Sequence, residues 1–123
     1  YFYGFISPKN VGVYKNSFDI VLAPYSNKVS VFGNKGNSSK YMSPLKIFEY
    51  MSYKKAIIAS DLAVLREVLS SKNAMLAEPE NIKDWVNAIN ELKNQENREI
   101  IANNALKDFK NYTWKNRALQ IVN

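Results

Sequence analysis

The 123-residue chain contains no cysteine and no histidine. The first absence excludes disulfides and thiolate metal sites, and the second excludes imidazole ligands and the commonest general base of enzymes. The longest purely aliphatic runs, such as 56–59, have only four residues and are far too short to cross a bilayer. No basic and apolar leader opens the sequence, so no secretory signal is predicted. Any chemistry must therefore use carboxylates, lysines, tyrosines or groups outside this chain.

The net charge of +6 is concentrated in the first half of the chain. Residues 1–60 hold eight lysines and only two acids, whereas residues 61–123 hold nine basic and nine acidic side chains. This asymmetry predicts that an anionic ligand would meet the first half. The alternative is that lysines such as Lys28, Lys35 and Lys40 are solvated loop charges.

Short apolar runs alternate with helical patterns along the sequence. Runs that are nearly all apolar are typical of parallel strands covered on both faces. They lie near 1–6, 19–23, 56–60 and 74–77. The alternation predicts one α/β domain, residues 1–123, in which a Rossmann-like parallel sheet lies between two helical layers.

Helices are predicted between these strands from their caps and apolar spacing. The predicted spans are 9–16, 43–53, a brief helix after Asp61, a helix after Asn81, 97–110 and a last one capped by Thr113. Asp61 and Asn81 are the expected caps of their helices, with Ile82, Trp85, Ile89 and Leu92 on the inner face of the second. Residues 25–42 are polar and predict a long loop.

The helix that begins at Ser43-Pro44 has a cation near its start. Lys46 falls at the third helical position, where the helix dipole disfavours positive charge by about 0.3–1 kcal/mol. A bound diphosphate would turn this cation into a paired charge. Glu49 is three residues further on, so an ion pair with Lys46 on the helix surface is the alternative interpretation.

The stretches 43–52, 55–62 and 65–68 resemble the donor-site signature of the large retaining glycosyltransferase family that includes glycogen and sucrose-phosphate synthases. The flanks at 2–5, 14–24, 74–79 and 112–114 are similar to that family as well. The resemblance covers nearly the whole chain. It implies the C-terminal half of an enzyme of the GT-B fold, which transfers a sugar from a nucleoside-diphosphate donor to an acceptor hydroxyl with retention, without a metal or other cofactor.

The same resemblance implies roles for individual residues. Glu49 would accept hydrogen bonds from both ribose hydroxyls, whereas Tyr41 occupies the place of the family's first glutamate, beside the donor sugar. Arg66 and Glu67 match the pattern but are expected to pack and cap, and for Phe5 a plain core role is the alternative. The implied donor-binding residues are Phe5, Ile6, Tyr41, Ser43, Pro44, Leu45, Lys46 and Glu49.

The resemblance also implies that two strand–helix units and the acceptor-binding domain lie outside this chain. We therefore expect the 123-residue chain to be inactive alone and its first strand to lose its usual neighbours. That strand would then pair with the strand at 19–23, swap into another copy of the chain, or leave an exposed edge that favours dimers. The expected partners are the donor and, through the missing domain, an acceptor glycan, lipid or protein, with no nucleic acid. The expected location is the cytoplasm, with membrane association through the missing part.

Two other functions fit the predicted fold. One is a sugar-nucleotide epimerase of the same two-domain architecture, which would need a different set of groups in the missing half. The other is a flavodoxin-like ligand-sensing domain without enzymatic activity. That class often carries acidic residues clustered at the strand ends, and the sequence shows no such cluster.

Overall fold

A computed structural model of the chain describes residues 4–27 and 45–113, together with 115, 116 and 119. The helices are α1 (Pro8–Ser17), α2 (Leu45–Ser52), α3 (Ala63–Arg66), α4 (Ile82–Glu91) and α5 (Gln95–Phe109), which continues into a 3₁₀ turn (Lys110–Tyr112). The strands are β1 (Ile20–Ala23), β2 (Ala56–Ser60) and β3 (Met75–Ala77). The predicted loop at 25–42 lies mostly outside the described residues.

The three strands form one parallel sheet in the order β1-β2-β3. Val21 aligns with Ile57, and Ala59 aligns with Leu76. Every residue of the central strand β2 is buried, which explains why its sequence is nearly all apolar. The predicted parallel pairing and the positions of these three strands are confirmed.

Helices cover both faces of the sheet. One core cluster joins Val21 and Ile57 to Met51 of α2 and Leu65 of α3. A second cluster, on the opposite face, joins Ile58 to α4, and α5 contributes a residue to each cluster. The structure therefore has the three layers that the alternating pattern predicts.

The predicted strand at 1–6 is not found among its described residues. Residues 4–6 have no strand conformation, and Gly4 has a φ of +68°, a left-handed conformation that an extended strand cannot accommodate. Phe5 is 91% exposed, so the core role considered for its ring is wrong as well. Pro8 then begins α1 in the first helical turn, where a missing N–H costs nothing.

Of the caps predicted for α3 and α4, the one on α4 is confirmed and the one on α3 is wrong. The Asn81 side chain accepts a hydrogen bond from the Lys83 amide at 3.1 Å and caps α4. Asp61 does not cap α3, because the N-cap is Leu62 and the Asp61 carboxylate instead accepts hydrogen bonds from Arg66.

The predicted inner face of α4 is also partly wrong. Ile82 is 79% exposed, because it opens the helix just after the turn that follows β3 and so lies beyond the strands. Further along the helix, Ala88 and Leu92 are buried and pack against β2 and β3. Past α5, the Thr113 hydroxyl accepts a hydrogen bond from the Asn116 amide at 3.4 Å, as expected of a cap.

Helix α1 approaches the residue that follows α2 at a glycine, Gly12. A Cβ atom built on Gly12 would lie 3.2 Å from the hydroxyl oxygen of Tyr53, which follows α2. Lys15, one turn further along α1, places its ammonium 5.4 Å from the centroid of the same ring. The absence of a side chain at position 12 therefore sets how closely α1 approaches the end of α2.

Strand β1 forms one edge of the sheet in the part of the chain that the structure describes. Helix α4 packs on β2 and β3, so Leu22 of β1 is exposed although its neighbour Ile58 on the same face is fully buried. An edge of this kind can recruit another strand. Dimer formation through it stays a prediction.

Candidate functional site

The topology brings the start of α2 to the carboxyl edge of the sheet. Each strand is followed by a connection that returns to the amino edge, so the helices run opposite to the strands. Leu45 and Lys46, in the first described turn of α2, therefore lie towards the edge where ligands bind in parallel α/β folds. Glu49 follows one turn further down the same helix.

Glu49 binds a lysine that spacing along the sequence does not identify. The Lys15 ammonium of α1 donates to Glu49 Oε1 across 34 positions of sequence. The two side chains are covered very differently, because Lys15 is 14% exposed and Glu49 is 50% exposed. Lys15 is thus held inside the α1–α2 contact, while the carboxylate reaches solvent.

Lys46 does not pair with Glu49, and the predicted alternative of a surface ion pair between them is wrong. The Lys46 ammonium instead lies 5.9 Å from the ring centroid of Tyr50, within the range of a cation–π contact. Side chains three apart on a helix can meet, but Glu49 already binds Lys15. Lys46 itself is exposed at the start of α2.

Of the other predicted donor residues, some are exposed and others lie outside the described part of the chain. Leu45 is 68% exposed, so the buried face of α2 is formed by Ile47 and Met51 instead. Phe5 points away from the core, as described above. The three remaining predicted residues, Tyr41, Ser43 and Pro44, lie outside the described residues.

Ile6 lines an apolar cavity of about 330 Å³ that opens beside β1. Lys15 and Tyr50 line the same cavity, and small-molecule sites commonly occupy about 300–1,000 Å³. The predicted base-binding residue Ile6 and the partner of Glu49 therefore share one cavity. The Lys46 ammonium lies 5.9 Å from the centroid of the Tyr50 ring, but Lys46 does not line the cavity.

The Tyr50 hydroxyl is partly covered by the fold and is influenced by two charged side chains. Burial raises the pKa of its hydroxyl, the Lys15 charge lowers it, and the Glu49 charge raises it. Because burial is the largest of the three effects, Tyr50 stays neutral at physiological pH.

The chain leaving β1 is fastened to the end of β2. The Ser60 hydroxyl accepts from the Tyr25 amide at 2.7 Å and donates to the Tyr25 carbonyl at 2.6 Å. Ser60 is fully buried, so both bonds are protected from water. This pair of bonds fixes where the polypeptide begins its path from β1 towards α2.

Replacement of Ser60 by alanine should remove both of these bonds. We expect a loss of about 1–3 kcal/mol in the free energy of unfolding, because the Tyr25 backbone groups would lose their partner in a buried setting. Urea denaturation followed by circular dichroism measures this loss. The control is Ser71→Ala at an exposed position, and equal stability of the two variants would contradict the role of Ser60.

Asp61 and Arg66 form a second charged pair, beyond the end of β2. Arg66 Nη2 donates to Asp61 Oδ2 at 2.7 Å, and Arg66 Nε donates to Asp61 Oδ1. These bonds lower the pKa of the Asp61 carboxyl below its usual value. Arg66 is therefore an exposed partner of Asp61, not the packing residue that was predicted, whereas Glu67 does occupy the C-cap of α3.

The described part of the chain has neither a membrane-spanning helix nor a cluster of metal ligands. Within 4–27 and 45–113 no helix combines the length and apolar character needed to span a bilayer. The same part of the chain holds no group of three or more acidic side chains arranged to bind a metal ion.

The parallel sheet and the helices on both of its faces define a Rossmann-like α/β unit. A family model, described as Glycosyl transferases group 1, matches residues 1–95. Because this match covers most of the sequence, the chain belongs to the group 1 glycosyltransferase family. No curated protein matches the chain. The predicted membership of a glycosyltransferase family is confirmed, and the segment 43–68 that carries the resemblance lies inside the matched range.

Proposed function

We propose that this chain binds the nucleoside-diphosphate part of a sugar donor, as the donor-binding part of a retaining glycosyltransferase of the GT-B fold. Glu49 accepts the ribose hydroxyls, and Ile6 lies near the base. Lys46, with the first amides of α2 and the segment 41–44, faces the diphosphate and sugar. Retention, independence of metal ions and the need for a separate acceptor domain belong to the proposal through the resemblance, and not through any contact described above.

The observation that supports this proposal best is that the Glu49 side chain is both partly exposed and held by an ion pair. Its carboxylate is half exposed and one of its oxygens is bound by Lys15, which also lines the cavity shared with Ile6. A carboxylate used only for stability gains little from such exposure, because water weakens the ion pair. A carboxylate that binds a diol needs both a fixed orientation and an open side.

Titration of the natural full-length protein with UDP-, GDP- and ADP-sugars tests the proposal. We expect saturable binding of one of these donors and transfer of its sugar to an acceptor hydroxyl. The 123-residue chain should transfer no sugar by itself, because catalysis needs a closed cleft that holds both substrates. Failure of all three donors to bind the full-length protein would overturn the proposed function.

Replacement of Lys46 by alanine tests the diphosphate contact separately. We expect donor binding to weaken roughly 3- to 10-fold, and added salt to weaken the wild-type protein in the same direction, since solvent ions screen exposed charges. Calorimetric titration at two salt concentrations measures both effects. Lys83→Ala is the matched control, because Lys83 is also a cation in a first helical turn but lies on α4, across the sheet.

A different pair of results is expected if Lys46 does not contact the diphosphate. A lysine that is only a misplaced cation opposes the helix dipole, so its removal should raise the melting temperature slightly and leave donor binding intact. That pair of observations would remove Lys46 from the site without affecting the role of Glu49.

A further inference from the structure

Lys15 is the most enclosed charged group of the proposed site. Its side chain is 14% exposed, and a lysine covered to this extent normally needs a partner for its charge. Glu49 supplies the negative charge, and the centroid of the Tyr53 ring lies 5.4 Å from the same ammonium. The position of the ammonium is therefore set by contacts with two different parts of the α2 region.

The two carboxylate oxygens of Glu49 differ in the contacts that they make with the described residues. Lys15 binds Oε1, and no side chain or amide in the described ranges donates to Oε2. Holding one oxygen restricts the rotamers of a side chain that otherwise moves freely on an exposed helix face. Groups that bind a ligand gain affinity when such freedom is removed before the ligand arrives.

Lys15 also faces the cavity beside β1, together with Ile6 and Tyr50. Its charge influences the Tyr50 hydroxyl in the direction opposite to Glu49. Because Lys15 contacts Glu49 and lines the cavity, a change at this residue alters the orientation of the carboxylate without removing the carboxylate itself.

We propose that Lys15 is a positioning residue, which holds the Glu49 carboxylate in the orientation that accepts the ribose hydroxyls of the donor. This inference rests on the proposed function, since it requires Glu49 to contact the donor. The competing explanation is that Lys15 only joins α1 to α2, in which case its loss would lower stability and leave ligand affinity unchanged.

The test is a double-mutant cycle in the natural full-length protein, with UDP, GDP and ADP as probes in calorimetric titrations. For the nucleotide that binds, we expect Lys15→Met to weaken binding about tenfold and Lys15→Arg to stay within about threefold of wild type. In the Glu49→Ala background, which has no side-chain oxygen for Lys15 to hold, Lys15→Met should add no further loss. Lys9→Met is the matched control, because Lys9 is an exposed lysine of the same helix.

Circular dichroism confirms that each variant is folded at the titration temperature. Lys15→Gln keeps an N–H donor without the charge and replaces the methionine variant if that variant does not fold, with the same expectations for affinity and coupling. Recovery of affinity by arginine is a result that a purely structural contact does not predict, because that contact would affect the melting temperature and not the dissociation constant.

The outcomes separate the two proposals. If no nucleotide binds the wild type, or if Glu49→Gln binds as tightly as wild type, the proposed function fails and the Lys15 inference fails with it. If Glu49→Gln weakens binding and Lys15→Met does not, the inference about Lys15 alone is overturned. A further loss on adding Lys15→Met to Glu49→Ala would also overturn it, since Lys15 would then act independently of the side chain at position 49.

Discussion

Replacement of Glu49 by glutamine should weaken nucleoside-diphosphate binding about 10- to 100-fold in the natural full-length protein. The change removes charge-assisted hydrogen bonds to the ribose, which contribute roughly 1.5–3 kcal/mol. Glutamine keeps a side-chain oxygen that can accept from Lys15, so the α1–α2 contact survives. Because glutamine removes the negative charge beside the enclosed Lys15 ammonium, we expect a modest fall in the melting temperature of the ligand-free protein.

Calorimetric titration and a thermal melt of the same sample measure both quantities. Glu91→Gln is the control, because Glu91 is an exposed helical glutamate on α4, away from the α1–α2 contact. Unchanged affinity in Glu49→Gln would mean that the Lys15–Glu49 ion pair is purely structural. A large fall in melting temperature with unchanged affinity would also indicate that the ion pair is purely structural.

Replacement of Ile57 or Ile58 by alanine should each cost about 2–5 kcal/mol of unfolding free energy. Both side chains are fully buried in the central strand, and they face opposite core clusters. A domain of this kind has about 5–15 kcal/mol of stability in total. Either variant is therefore expected to be close to unfolding at moderate temperature.

The comparison of the two isoleucines also tests the three-layer architecture. Urea denaturation should give large losses at both positions, because helices cover both faces of β2. Ile82→Ala is the matched control at an exposed position, where we expect a change within about 0.5 kcal/mol. A small loss at Ile58 with a large loss at Ile57 would show that α4 does not cover its face of the sheet.

The architecture could be predicted from the sequence because each parallel strand between two helical layers leaves an unbroken apolar run. The run at 56–59 matches the buried strand β2 closely. The same reasoning failed at residues 4–6, where an aromatic and apolar composition concealed a glycine with positive φ. Composition reports how apolar a segment is, but not whether its backbone is extended.

The candidate site was only partly predictable for a different reason. Glu49 is found through its local pattern, and that pattern favoured Lys46 as its partner because the two are three residues apart. The actual partner, Lys15, is 34 positions away, and nothing in the sequence near Lys15 marks it as different from the other lysines. Contacts between helices depend on how the helices pack, and spacing along the chain does not encode them.

The close approach of Gly12 to Tyr53 has a consequence for how related sequences can vary. Alanine at position 12 would favour helix formation by about 1 kcal/mol, but its methyl group would lie 3.2 Å from the tyrosine hydroxyl oxygen. A phenylalanine at position 53 lacks that oxygen and leaves room for the methyl group. Among natural relatives, residues 12 and 53 should therefore covary: glycine should accompany tyrosine, and alanine should accompany phenylalanine or a smaller side chain.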